Sequence, residues 1–184
     1  DRNAYVANCH KIPQKEFEKT LLSPEEILTS LERIVSQVRE VNPSIAVLLT
    51  VSPVRHIKDG MVENTRSKAR LHEAVHQLVA RQEDTSYFPA YEIMMDDLRD
   101  YRFYKSDLIH PTETAVEYIW NKFARTWIKP SAFPLMKEVQ SIHRALEHRP
   151  IQVESKEHQT FREKTEKQIQ ELEEKHPEVK IYRR

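Results

Sequence analysis

Asp107 and His110 stand three residues apart in the string Ser106-Asp107-Leu108-Ile109-His110-Pro111-Thr112. In a turn just before a helix, that spacing lets the carboxylate accept a hydrogen bond from one imidazole nitrogen and fix the tautomer. The other nitrogen is then free to take a proton from a nucleophile. Taken alone, the same two residue types ahead of a helix more often serve as caps. A second string, His72-Glu73-Ala74-Val75-His76, matches H-E-x-x-H. On a helix its two histidines lie one turn apart, close enough to share a zinc ion, with Glu73 as general base. No G-x-x-H continuation follows, and Glu92 is the third ligand that could be offered. The plainer reading is two surface histidines flanking an apolar face made by Ala74, Val75, Leu78 and Val79.

Two further groups carry polar chemistry. Thr50-Val51-Ser52-Pro53-Val54-Arg55-His56 lies past the end of an apolar run, where open α/β sheets place ligands. Ser52 is a nucleophile candidate or a turn residue before proline, and Arg55 and His56 could hold an anionic or polar substrate group. Asn8-Cys9-His10 clusters polar side chains in an expected loop, where Cys9 has no activating neighbour beyond His10.

The elements that must position these groups follow from hydrophobic periodicity. Ser23-Pro24-Glu25-Glu26 is a helix start with a capping box, and Ile27, Leu28, Leu31, Ile34, Val35 and Val38 give its stripe up to Asn42-Pro43. Ile45 to Val51 is a continuous apolar run, as expected of a parallel strand covered on both faces. A second helix is predicted from about Thr65 to Gln82, a short strand at Tyr87-Phe88, and a third helix with Pro111 at its first position. That third helix should bury Ala115, Ile119, Trp120, Phe123 and Trp127. The polar, aromatic-rich stretch from Tyr91 to His110 has no legible period. Alternating helices and strands with short links imply right-handed crossovers in an α/β sheet, and two strands are too few to complete it. From Ser131 the pattern is helical only, with Phe133, Met136, Val139, Ile142 and Leu146 in one stripe and Phe161, Ile169 and Leu172 as sparse anchors further on.

Composition removes several alternatives. The 184 residues include one glycine, Gly60, where average usage would give about thirteen. Dinucleotide-binding G-x-G-x-x-G turns, phosphate-binding P-loops and G-x-S-x-G nucleophile elbows are therefore excluded. Lysine plus arginine total 29 and aspartate plus glutamate 29, so no net charge draws the chain to nucleic acid or anionic membrane. Cys9 is the only cysteine, which rules out an internal disulfide and a cysteine-rich zinc site. No apolar stretch approaches the roughly 20 residues of a membrane helix. The chain opens at Asp1 in residues that read like mid-domain sequence, as a fragment would. One cysteine and no visible leader favour the cytoplasm, with a signal peptide in a missing amino terminus as the alternative.

Five stretches, taken in order, carry a resemblance: V-A-N-C-H-K-I-P (6–13), T-V-S-P-V-R-H-I-K-D-G (50–60), E-N-T-R-S-K-A (63–69), Y-F-P-A-Y-E-I-M-M-D-D-L-R-D-Y-R-F-Y (87–104) and D-L-I-H-P-T (107–112). Together they resemble the GSCFA family, a branch of the SGNH or GDSL-like hydrolase superfamily. The resemblance implies an α/β fold, a three-layer α/β/α sandwich with a parallel flavodoxin-like sheet, over residues 1–130. A helical C-terminal extension over 131–184 would follow it. It further implies a serine esterase or acyl hydrolase in which Asp107 and His110 are the triad acid and base. A serine would form an acyl-enzyme on an ester of a small molecule, glycan or lipid. Asn8 is the oxyanion-hole candidate, with His10, Ser52, Arg55 and His56 as further substrate contacts. No cofactor, nucleic acid or membrane span is implied. The family's naming G-S-C-F-A motif, with its presumed nucleophilic serine, does not occur in these residues. The expectation is therefore an acid–base half whose nucleophile lies upstream, inactive by itself. Two alternatives remain beside it. One is a zinc hydrolase on His72, Glu73 and His76, and the other a non-catalytic module docking a partner through the charged tail from Ser155 to Arg184.

Overall fold

The structure is a computed structural model that describes residue 13, residues 16–148 and residues 156–182. The chain packs as two compact units, Asp1–Trp120 and Asn121–Arg184.

The first unit is built on a β–α–β element preceded by a helix. Helix α1 (Pro24–Val41) begins with the capping box that its sequence announces. The Ser23 hydroxyl accepts from the Glu26 backbone N–H at 3.2 Å, and the Glu26 carboxylate accepts from the Ser23 N–H at 2.7 Å. Strand β1 (Val47–Leu49) leads through a loop and one 3₁₀ turn (Ile57–Asp59) into helix α2 (Met61–Arg81). Gly60, at φ 93°, stands immediately before α2 in a conformation that L side chains rarely adopt. Strand β2 (Thr85–Tyr87) pairs parallel with β1 in the register Val47↔Thr85, Leu48↔Ser86, Leu49↔Tyr87. Among the described residues these two strands are the whole sheet.

Leu28 and Val35 of α1 pack with Ala74 and Leu78 of α2, and Ile27, Leu31, Val47 and Leu49 close around them. Polar ties fix the same arrangement. The Arg39 guanidinium donates to the Gln82 side chain at 2.7 Å and to the Glu83 carbonyl at 2.5 Å, pinning the end of α1 to the turn before β2. Arg70 of α2 donates to the Leu21 and Leu22 carbonyls, both at 2.7 Å, and so holds the segment that enters α1.

After β2 the stretch with no legible period folds into a helical turn, α3 (Ala90–Glu92), continued as a π-turn over Ile93–Asp97 and a 3₁₀ turn at Tyr101–Phe103. Met94 and Leu98 are buried there against Ala115, with Met95, Phe103, Tyr104 and Ile119 around them. Helix α4 runs Glu113–Trp127. Its start corrects the sequence expectation. Pro111 forms a bridge with Tyr104, and Thr112 is the residue whose carbonyl and hydroxyl accept from Val116 and Ala115. Its buried face also differs: Ala115 and Ala124 are buried, whereas Trp120 and Trp127 are 47% and 41% exposed.

The second unit contains helices α5 (Phe133–Glu147) and α6 (Lys156–Lys175). Ile142, Ile169, Leu172 and Ile181 form its core, with Leu135, Val139 and Val179 packed around them. The Ile181 N–H donates to the Glu173 carboxylate at 2.9 Å and turns the tail back onto α6. Among the described residues no helix is long and apolar enough to cross a membrane.

Candidate functional site

The Asp107–His110 pair sits at the tip of a closed loop between the 3₁₀ turn and α4. The Thr112 N–H donates to the Phe103 carbonyl, Tyr104 bridges Pro111, and the Lys105 N–H donates to the His110 carbonyl at 2.8 Å. The Leu108 N–H closes the tip on the Lys105 carbonyl at 2.9 Å, and Leu108 itself adopts φ 57°. A leucine in the left-handed region costs about 1–2 kcal/mol, so the surrounding bonds must over-determine the loop.

Within that tip, the two carboxylate oxygens of Asp107 divide the work. Oδ1 accepts from the Ile109 and His110 backbone N–H groups at 2.8 and 3.0 Å. Oδ2 lies 2.7 Å from His110 Nδ1. The backbone donor of His110, then its ring, then the Ile109 N–H hold the Asp107 carboxyl well below the usual carboxylate range. Both side chains are about half exposed. The imidazole is thus oriented through Nδ1 by a carboxylate that is itself anchored by two backbone N–H groups, the geometry that a carboxylate-oriented general base requires.

The loop after β1 reaches this tip through Arg55. Its N–H approaches the Ile109 carbonyl at a long 3.5 Å, and its guanidinium lies 4.8 Å from the centroid of the Tyr104 ring, within cation–π range. Arg55, Asp107 and His110 therefore share one locality. Ser52 is exposed; its hydroxyl accepts from the Val54 N–H at 3.2 Å, and its carbonyl accepts from Lys68 Nζ at 2.5 Å. His56 turns to Asp59, with Nδ1 3.4 Å from the carboxylate, and its backbone N–H donates to Asn64 at 2.8 Å. Lys19 also pairs with Asp59, and that contact is the main reason the Asp59 carboxyl is held below its ordinary range. Asn8, Cys9 and His10 lie outside the described residues.

The helical histidines enter a second cluster. His72 Nδ1 lies 3.4 Å from a Glu92 carboxylate oxygen, and ligand atoms of His72, His76 and Glu92 all lie within 4.8 Å of one another. Glu73 points elsewhere: it is exposed and accepts from Gln77 Nε2 at 2.7 Å. The Tyr87 hydroxyl donates to both Glu92 oxygens, at 3.0 and 2.8 Å. Burial, and then this carboxylate, push the Tyr87 hydroxyl well above its ordinary value. Burial lowers His72, with Glu92 opposing it.

Sequence periodicity misses Tyr87 and Tyr104, reading the first as an apolar strand residue and the second as part of an uninterpretable stretch. Their signal was the Y-x(4)-E spacing from Tyr87 to Glu92 and the aromatic next to the Asp-x-x-His loop.

A family model described as GSCFA family matches residues 1–123, two thirds of the chain. The chain belongs to the GSCFA family. A second family model, described as GSCFA domain protein, C-terminal domain, matches residues 139–182 of the same GSCFA chain. That match covers most of α5, all of α6 and the tail folded onto it. A comparison with curated proteins gives no match, and one with solved structures gives none.

Proposed function

We propose that this GSCFA chain carries the acid–base pair of an SGNH-type serine hydrolase acting on an ester or related acyl group. The observation that supports the reading is the 2.7 Å contact between Asp107 Oδ2 and His110 Nδ1, made by a carboxylate whose other oxygen is clamped by two backbone N–H groups. In this reading His110 Nε2 takes the proton of a serine hydroxyl as the serine oxygen attacks the acyl carbon. The same nitrogen returns it to the leaving alcohol, and water then repeats the cycle to release the acid. Asp107 holds the tautomer and stabilises the imidazolium. Arg55, at the same loop, offers a cation to an anionic part of the substrate. By resemblance the serine belongs to the G-S-C-F-A motif, which these 184 residues do not contain. The same reading takes β1 and β2 as two strands of a larger parallel sheet in a three-layer α/β/α sandwich. Their carboxyl ends would face the pocket.

Fluorophosphonate labelling of the longest natural form, with peptide mapping of the adduct, tests the proposal. One labelled serine whose modification is lost on His110→Ala, with the fold retained, is the expected result. Labelling on Ser52 would move the nucleophile into this chain. Labelling undiminished in folded His110→Ala would remove His110 from the mechanism.

A further inference from the structure

The second cluster is built by two elements that meet only because of the β–α–β packing. His72 and His76 occupy successive turns of α2, and Glu92 ends the helical turn that follows β2. Tyrosine rings hold both imidazoles: Tyr91 lies edge-on to His72 with centroids 4.7 Å apart, and Tyr87 meets His76 at 4.8 Å. The Tyr87 hydroxyl steadies the Glu92 carboxylate by donating to it. His72 is the anomaly. Its Nε2 is buried with no hydrogen-bond partner among the described residues, and its Nδ1 reaches Glu92 and Tyr87 only at 3.4 and 3.5 Å. Neither ring nitrogen therefore has a short hydrogen bond, and an ion between Nδ1 and Glu92 would give Nδ1 a strong partner while Nε2 keeps the ring proton.

The spacing favours an ion. Bonds of about 2.0–2.2 Å in tetrahedral geometry put neighbouring ligand atoms about 3.3–3.6 Å apart. The 3.4 Å between His72 Nδ1 and the Glu92 carboxylate oxygen already has that length, so Nδ1, not the unpaired Nε2, is the ligand atom. The remaining ligand atoms, within 4.8 Å, need a contraction that exposed His76 can supply by rotating its side chain. Two neutral imidazoles and one carboxylate suit a dication of intermediate softness, and are poor ligands for magnesium or calcium, which prefer all-oxygen shells. We propose that His72, His76 and Glu92 form a three-ligand site for a divalent transition-metal ion of the zinc class, with a fourth position open to water or a small ligand. Tyr87 is the outer-shell partner that positions Glu92. Glu73 is not part of the site, so the ligand set is set by the fold across β2 rather than by the H-E-x-x-H string.

Cobalt(II) titration of the full chain, stripped with chelator and followed by visible d–d absorption, tests this. One cobalt should bind per chain with the intense bands of four- or five-coordination. Zinc should displace it, and excess magnesium should not. His76→Ala and Glu92→Gln should each weaken binding by more than the roughly 10–100-fold that loss of an outer-shell partner costs, and Tyr87→Phe by an amount within that range. His143→Ala, which removes an exposed histidine of α5, should leave affinity unchanged. Circular dichroism in chelator verifies that each variant is folded. No cobalt binding by the folded wild-type chain overturns the site. Unchanged affinity in either His76→Ala or Glu92→Gln overturns the three-ligand set.

Discussion

At the scale of single residues, the Asp107 carboxylate has two tasks that one substitution separates. Asparagine at 107 keeps an oxygen for the Ile109 and His110 N–H groups but presents an amide N–H₂ to His110 Nδ1. The imidazole would then carry its proton on Nε2, the tautomer unable to act as base. On the proposed hydrolase mechanism, Asp107→Asn in the longest natural form should lower kcat by about 10⁴-fold while the melting temperature moves little. Full activity in that variant would remove the orienting role. The pH dependence has a definite sign. The folded Asp107 carboxyl lies below its unfolded value, so ionisation favours the folded loop at all pH values above the unfolded carboxylate range. That contribution disappears as pH falls through the depressed folded value. A carbon-13 titration of the Asp107 carboxyl should show it still ionised when free aspartate is half protonated, and a midpoint at the ordinary value would contradict the clamp.

At the scale of elements, what was legible depended on whether local chemistry and tertiary packing agreed. Helix α1 was readable to its first residue, because Ser23, Pro24 and Glu26 encode the cap locally. Removing that code should have the cost of a lost cap: Ser23→Ala is expected to destabilise the chain by about 1 kcal/mol, measured by urea unfolding. No measurable change would mean that Arg70, through the Leu21 and Leu22 carbonyls, fixes the helix start by itself. Strand β1 was legible in its apolar run, although only Val47–Leu49 pair in the sheet. The stretch after β2 was not legible, for a physical reason. The π-turn, closed by the Leu98 N–H on the Ile93 carbonyl, advances the chain by an extra residue and breaks the 3.6-residue phase that a helical pattern needs. The start of α4 was misread by two residues because Pro111 suits a first helical position, yet its bridge to Tyr104 holds it in the loop. The Asp-x-x-His spacing was visible in the sequence; the αL leucine and the backbone clamp that aim it were not. Likewise the two histidines were visible, whereas their meeting with Glu92 required the fold.

On the scale of the molecule, the hydrophobic cluster of α1 and α2 is separate from that of α5 and α6 among the described residues, and the two make different demands on sequence. The core of the first unit joins α1, α2 and β1 through residues spread from Leu28 to Leu78, so its contacts close long loops. The core of the second unit lies within residues 135–181 and depends on few apolar side chains in otherwise charged helices. That economy makes each anchor disproportionately important. Leu172 is fully buried in one cluster with Ile142 and Ile169, β-branched neighbours whose restricted rotamers leave them little freedom to fill a vacated space. Leu172→Ala should therefore destabilise the second unit by about 2–5 kcal/mol, the range for a buried leucine whose surroundings collapse incompletely. The consequence should be local, because the core residues of α1 and α2 belong to a different cluster from those of α5 and α6. Hydrogen–deuterium exchange on the variant should show lost amide protection over Phe133–Glu147 and Lys156–Lys175, with α1 and α2 protected as in the wild type. If protection fell equally in α1 and α2, the two cores would unfold as one cooperative body, and the C-terminal unit would be a required part of the fold that positions Asp107 and His110.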